Sequence, residues 1–106
     1  MKVEDYGNSC VVVTLPKEVM INGGAKELRE MLSILMEKDY RTIVLDCGDL
    51  AMFDAAGLNV LLAFQRKLQA ADSELKVSNI TNKFIKYLFD KIQLHKVITI
   101  EETMCR

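Results

Sequence analysis

Apolar and polar positions alternate between two periods along this chain, and the switches between them mark its elements. Lys2–Tyr6 and Ser9–Leu15 read as strands around Gly7-Asn8, a dipeptide suited to a tight hairpin turn. Cys10-Val11-Val12-Val13 is apolar on both faces, so the second strand should lie deeper in a sheet than the first. Pro16, lacking a donor, closes that strand; Lys17–Asn22 follows as a loop, and Gly23-Gly24 leads into a helix. The helix is defined by Leu28, Met31, Leu32, Leu35 and Met36 at helical spacing. Arg41–Asp46 is a strand, fully apolar at Ile43-Val44-Leu45. A second helix runs from about Ala55 to Ala70, with Leu58, Leu61, Leu62, Gln65 and Leu68 on one face. Leu75–Ser78 is a short strand, and Thr81 or Asn82 can cap a third helix with the stripe Ile85, Leu88, Phe89 and Ile92. Val97–Ile100 is the last strand, and Glu101–Arg106 a short tail.

Strands that alternate with helices imply an α/β fold. Right-handed crossovers then give a mixed, mostly parallel sheet of four to five strands, with an N-terminal antiparallel hairpin and three main helices. No linker, repeat or low-complexity stretch interrupts residues 1–106, which read as a single domain.

Composition narrows the classes of function. The net charge is −1 and Lys and Arg are dispersed, which speaks against a nucleic-acid surface. No segment approaches the ~20 apolar residues that span a bilayer, and MKVEDYGNSC has no secretory character, so a cytoplasmic protein without direct membrane insertion is expected. Cys10, Cys47 and Cys105 are odd in number and widely spaced, with no CxxC, so neither a disulfide framework nor a zinc site is indicated. Cys10 and Cys47 read as small core residues.

The most informative stretch is Ile43 to Leu62, IVLDCGDLAMFDAAGLNVLL: a buried strand, a turn-rich loop, then Asp-Ala-Ala-Gly-Leu opening an apolar helix. The first amides of a helix lack intrahelical partners, and small residues there let another surface approach closely. Asp46, Asp49 and Asp54 crowd this loop, but Asp54 is a natural helix cap, Asp46 ends a strand and Asp49 follows Gly48 in a turn. No metal site and no cofactor are therefore expected. His95, the one histidine, has no evident Ser, Cys or acidic partner, and no catalytic residue stands out. Met20 and Met52 sit in loops that flank the helix start and suit an adaptable contact surface.

The strand ending in Asp, the short loop, Asp54–Leu58 and the apolar helix resemble the STAS domain, the sulfate-transporter and anti-sigma-factor-antagonist family. Val77 to Ile100, VSNITNKFIKYLFDKIQLHKVITI, is similar to that family's late strand, helix and closing strand. The family pattern has Asp-Ser-Ser/Thr-Gly-Leu where this chain has Asp-Ala-Ala-Gly-Leu. The hydroxyl residue before the Gly is phosphorylated by a dedicated kinase in members that act as anti-sigma factor antagonists. Here that position is Ala56, which cannot be phosphorylated.

The resemblance implies a non-enzymatic interaction module that binds an anti-sigma factor of the serine-kinase type. The implied docking surface comprises Asn22 and Gly23 before the first helix, then Met52, Asp54, Ala55, Ala56, Gly57, Leu58 and Asn59. An alternative within the same family is an accessory subunit of a membrane transport complex, pressed against an ATPase. Many members continue into a further C-terminal helix where this chain stops soon after Ile100, which leaves a homodimer open.

Overall fold

The computed structural model describes residues 1–20 and 24–101. Asn22, Gly23 and the tail from residue 102 onward, with Cys105, lie outside the described residues.

The first hairpin joins β1 (Lys2–Gly7) to β2 (Cys10–Thr14). Its turn falls one residue later than Gly7-Asn8. Asn8 (φ 53°) and Ser9 (φ 62°) take the two left-handed positions that a tight two-residue turn demands, while Gly7 (φ 80°) closes a bulge after Asp5. The Asp5 carboxylate secures this end, accepting from the Gly7 amide at 2.8 Å and from the Tyr40 hydroxyl at 2.9 Å.

After β2 the chain forms β3 (Glu18–Val19), then helix α1 (Ala25–Glu37), β4 (Thr42–Asp46) and β5 (Met52–Phe53). Helix α2 (Ala55–Ala70), β6 (Glu74–Ser78), α3 (Lys83–Lys91), a 3-10 turn at Leu94–Lys96 and β7 (Thr99–Glu101) complete it. Five strands form one sheet in the order β1-β2-β4-β6-β7. The β1–β2 pair is antiparallel and the other three pairs are parallel, the mixed architecture expected. β2 is interior, as its doubly apolar run implied, and β1 is exposed throughout.

Two findings depart from the expected elements. Residues 17–22 were expected to be loop, yet β3 pairs in parallel with β5, Glu18 opposite Met52 and Val19 opposite Phe53. Two-residue strands carry no periodicity, so nothing in their sequence marks them. The last strand was expected from Val97; instead the 3-10 turn intervenes, and β7 begins at Thr99.

The helices lie against one face of the sheet. Val11, Val13, Ile43, Leu45, Leu75 and Val77 form one core with Leu28 and Leu32 of α1, Leu61 and Phe64 of α2, and Ile85 and Phe89 of α3. Helix α2 is turned relative to the expected face: Gly57, Val60, Leu61, Phe64 and Leu68 are buried, whereas Leu58, Leu62 and Gln65 are only half-buried. Phe64, which lies off the expected face, is buried in the core. On the opposite face, Cys10, Val12 and Val44 form a smaller cluster. Lys76, opposite Val44 in register, bridges Glu101 at 2.9 Å and Glu74 at 3.7 Å and ties β7 to the sheet. Cys47 is free and buried.

Candidate functional site

The loop between β4 and α2 is held from both sides, which fixes where α2 begins. On one side Asp46 Oδ1 accepts from the Gly48 amide at 2.9 Å and from Asn79 Nδ2 at 3.0 Å. The Thr81 hydroxyl donates to the Gly48 carbonyl at 2.9 Å, and the Cys47 amide donates to the Ser78 carbonyl at 2.9 Å. A Cβ at Gly48 would stand 2.7 Å from Asn79 Nδ2, so a larger residue there would displace the Asn79 side chain.

On the other side the Ala51 and Met52 amides donate to the Lys17 carbonyl at 2.8 and 3.0 Å, and the Asp54 amide donates to the Val19 carbonyl at 3.3 Å. Helix α2 is then capped by its own first residues: Asp54 has extended backbone, and its Oδ1 accepts from the Gly57 amide at 3.1 Å. Asp46 and Asp54 therefore serve as acceptors that shape the loop, and Asp49 is exposed beside them. Among the described residues no group of three His, Cys, Asp or Glu side chains is arranged to hold a metal ion. His95 is exposed on the 3-10 turn, remote in the chain from this loop. Cys47, buried in the same loop, has its thiol pushed up to about 12 by burial, with the Asp46 carboxylate adding to the effect.

The residues of the Asp-Ala-Ala-Gly-Leu junction divide by exposure. Met52, Ala55 and Asn59 are exposed; Asp54, Ala56 and Leu58 are half-buried. Gly57 is buried against β3, so its part is to let that strand approach rather than to face a partner. Ala56 packs against the core on its inner side and carries no hydroxyl. Asn22 and Gly23 fall outside the described residues; their described neighbours Gly24 and Met20 are tied down, Gly24 N donating to Glu18 O and Ala25 N to Met20 O, both at 3.2 Å.

One contribution escaped the sequence. Phe53, Asp54, Ala55 and Leu58 form one wall of a groove of about 210 Å³, and Leu88 of α3 and Ile92 just beyond its end form the other. Leu88 and Ile92 lie on a stripe whose other members, Ile85 and Phe89, are buried, so periodicity assigned all four to the core. The T-shaped contact of Phe53 with Phe89, centroids 5.5 Å apart, sets the depth at which α3 meets the start of α2.

The fold is shared with solved structures. An anti-sigma factor antagonist from Mycobacterium paratuberculosis superposes with a TM-score of 0.83 at 19% identity, covering 97% of this chain and 85% of that one. The anti-sigma factor antagonist SpoIIAA gives 0.74 at 17% identity in its unphosphorylated form, covering 97% and 88%. The phosphorylated form of SpoIIAA, the Bacillus cell fate determinant, gives 0.70 at 19%, covering 94% and 89%. A sulfate transporter family protein from Wolinella succinogenes gives 0.73 at 14%, covering 93% and 82%. At these identities the likeness establishes the fold. No curated protein matches the chain in sequence. The sequence profile of the STAS domain, however, matches residues 2–104, and the chain belongs to the STAS domain family.

Proposed function

We propose that this chain is a single-domain, non-enzymatic interaction module of the anti-sigma factor antagonist type, working in the cytoplasm without cofactor. It receives a serine-kinase anti-sigma factor on the loop before α2 and on that helix's first turns. The observation that carries this reading is the exposure of Met52, Ala55 and Asn59 around a helix start fixed by the β3–β5 pair. A surface already rigid loses little conformational entropy on docking. Asp54, Ala56 and Leu58 form its half-buried floor, and Asn22 and Gly23 join it on the family pattern.

Relatives named as anti-sigma factor antagonists support the partner class, and SpoIIAA is known in both phosphorylated and unphosphorylated forms. Phosphorylation would place about −1.5 to −2 charge at such a contact. With Ala56 at the corresponding position of the pattern, docking here is constitutive at that site, and control rests with the partner or its supply. The test is Ala56→Ser offered to a family serine kinase: the variant should be phosphorylated at residue 56 and the parent left unmodified there. Failure of the variant to accept phosphate would contradict the assignment of this position.

A second reading, an accessory subunit of a transport complex docking an ATPase through the same surface, is favoured by the likeness to the Wolinella succinogenes sulfate transporter family protein.

A further inference from the structure

Helix α3 carries a second surface that the docking reading does not use. Its inner side is occupied by Ile85 and Phe89, yet Phe84 and Tyr87 are 55% and 62% exposed, the highest values among the large apolar side chains that face solvent. At spacings of three and seven, Phe84, Tyr87 and Lys91 share one outward face, and Lys83 borders it four residues before Tyr87. The Lys91 ammonium stands 5.9 Å from the centroid of the Tyr87 ring.

The charge is one-sided. Lys83, Lys86 and Lys91 are opposed on the helix by Asp90, with Glu101 lining the groove beside Lys86, in a protein whose net charge is −1. The shape is one-sided too. Grooves flank α3, one lined by Leu88 and Ile92 and one by Lys86, Phe89 and Asp90, while Phe84 and Tyr87 stand between them as a ridge. A ridge of two rings with lysines around it suits a soft anionic layer, which needs no matching pocket. Aromatic rings favour the headgroup level of a bilayer, and lysine stems lie along apolar surface while their ammoniums reach lipid phosphates.

We infer that the outward face of α3 is a weak, peripheral docking site for an anionic lipid surface. Phe84 and Tyr87 reach the headgroup region, and the surrounding lysines contact lipid phosphate. Neither ring signal nor charge signal anchors a protein alone; the two together give reversible adsorption.

The test is sedimentation of the full chain with phosphatidylcholine vesicles, with and without phosphatidylglycerol, at low and high salt. Binding should require phosphatidylglycerol and fall with salt. It should drop by about twenty-five-fold or more in Lys83→Glu/Lys91→Glu, since each of the two basic residues lost near such a surface contributes roughly a factor of five. Phe84→Ser/Tyr87→Ser should lower it as well, whereas Ile34→Ser, an exposed apolar side chain of α1, should not. All these positions are exposed, and circular dichroism checks that each variant folds. Absence of binding to the anionic vesicles, equal binding without phosphatidylglycerol, or indifference to both double variants would each overturn the inference. So would a wild type that ignores vesicles while Phe84→Ser/Tyr87→Ser loses a protein partner, because the ridge would then be a protein contact. The Ala56→Ser phosphorylation test is independent of every one of these outcomes.

Discussion

Gly57 lies directly against the backbone of Val19: a Cβ on residue 57 would stand 2.8 Å from the Val19 carbonyl oxygen and 2.9 Å from its Cγ1. Within Asp-Ala-Ala-Gly-Leu, the glycine is thus the residue that brings β3 onto the first turn of α2. The strand so placed holds the docking loop through the Lys17 and Val19 carbonyls.

Gly57→Ala should therefore destabilise the protein although alanine is the better helix former. Propensity favours the substitution by about 1 kcal/mol, but the added methyl meets backbone that cannot turn aside, and overpacking of this kind costs about 1–3 kcal/mol. Urea denaturation should show a lower midpoint with an unchanged slope. Asn59→Ala, exposed on the same turn of the helix, serves as the control and should shift the midpoint little.

A pH effect should localise to the first hairpin. The Gly7 amide, then the Tyr40 hydroxyl, hold the Asp5 carboxyl below its ordinary 3.8, and the same hydrogen bond to Asp5 raises the Tyr40 phenol above its ordinary 10.0. The lowered carboxyl stabilises the fold above the unfolded value near 3.8 and ceases to as pH falls through its folded value. The raised phenol stabilises it below 10.0, and that contribution is lost as pH rises through its folded value. Tyr40→Phe should move the NMR-monitored Asp5 titration upward, toward but not fully to 3.8, because the Gly7 amide remains. An unmoved Asp5 titration would show that the hydroxyl does not reach it in solution.

The Cys47 thiol should be inert in the native protein. Buried and pushed up to about 12, it supplies almost no thiolate at pH 8. Peptide mapping after exposure to a thiol reagent should find residue 47 modified only once denaturant unfolds the chain. Rapid native labelling would mean that the loop between β4 and α2 opens far more readily than its hydrogen bonds imply.

The mixed, mostly parallel sheet, the helix number and the interior place of β2 were legible because Val11–Val13, Ile43–Leu45 and the stripe through Leu28, Leu32 and Leu35 carry strong periodic signals. The Asp54 and Asn82 caps were legible for a local reason: each side chain meets an amide three residues ahead, Gly57 and Ile85. What could not be read depends on contacts distant in sequence. The β3–β5 pair joins residues more than thirty positions apart through backbone groups that every sequence possesses. The groove wall from Leu88 and Ile92 exists because Phe89 meets Phe53, and periodicity cannot tell a fully buried stripe residue from one at the rim. Gly57 illustrates the limit at the candidate site: the pattern marks the position, but its inward role required the location of Val19.

The claim on which the functional reading rests is that another protein lands on the exposed start of α2, and Ala55→Glu tests it most directly. Ala55 is exposed in the helix's first turn, where a carboxylate is favourable to the helix by about 0.3–1 kcal/mol, so the variant should fold as well as the parent or better. At a close protein contact the same carboxylate is an unpaired charge, as it would be in Ala56→Glu. Titration calorimetry against the serine-kinase anti-sigma factor or ATPase captured by the parent chain should show affinity reduced by about tenfold or more, with the melting temperature unchanged or raised. Undiminished affinity in the stably folded variant would place the partner's contact elsewhere and contradict the account.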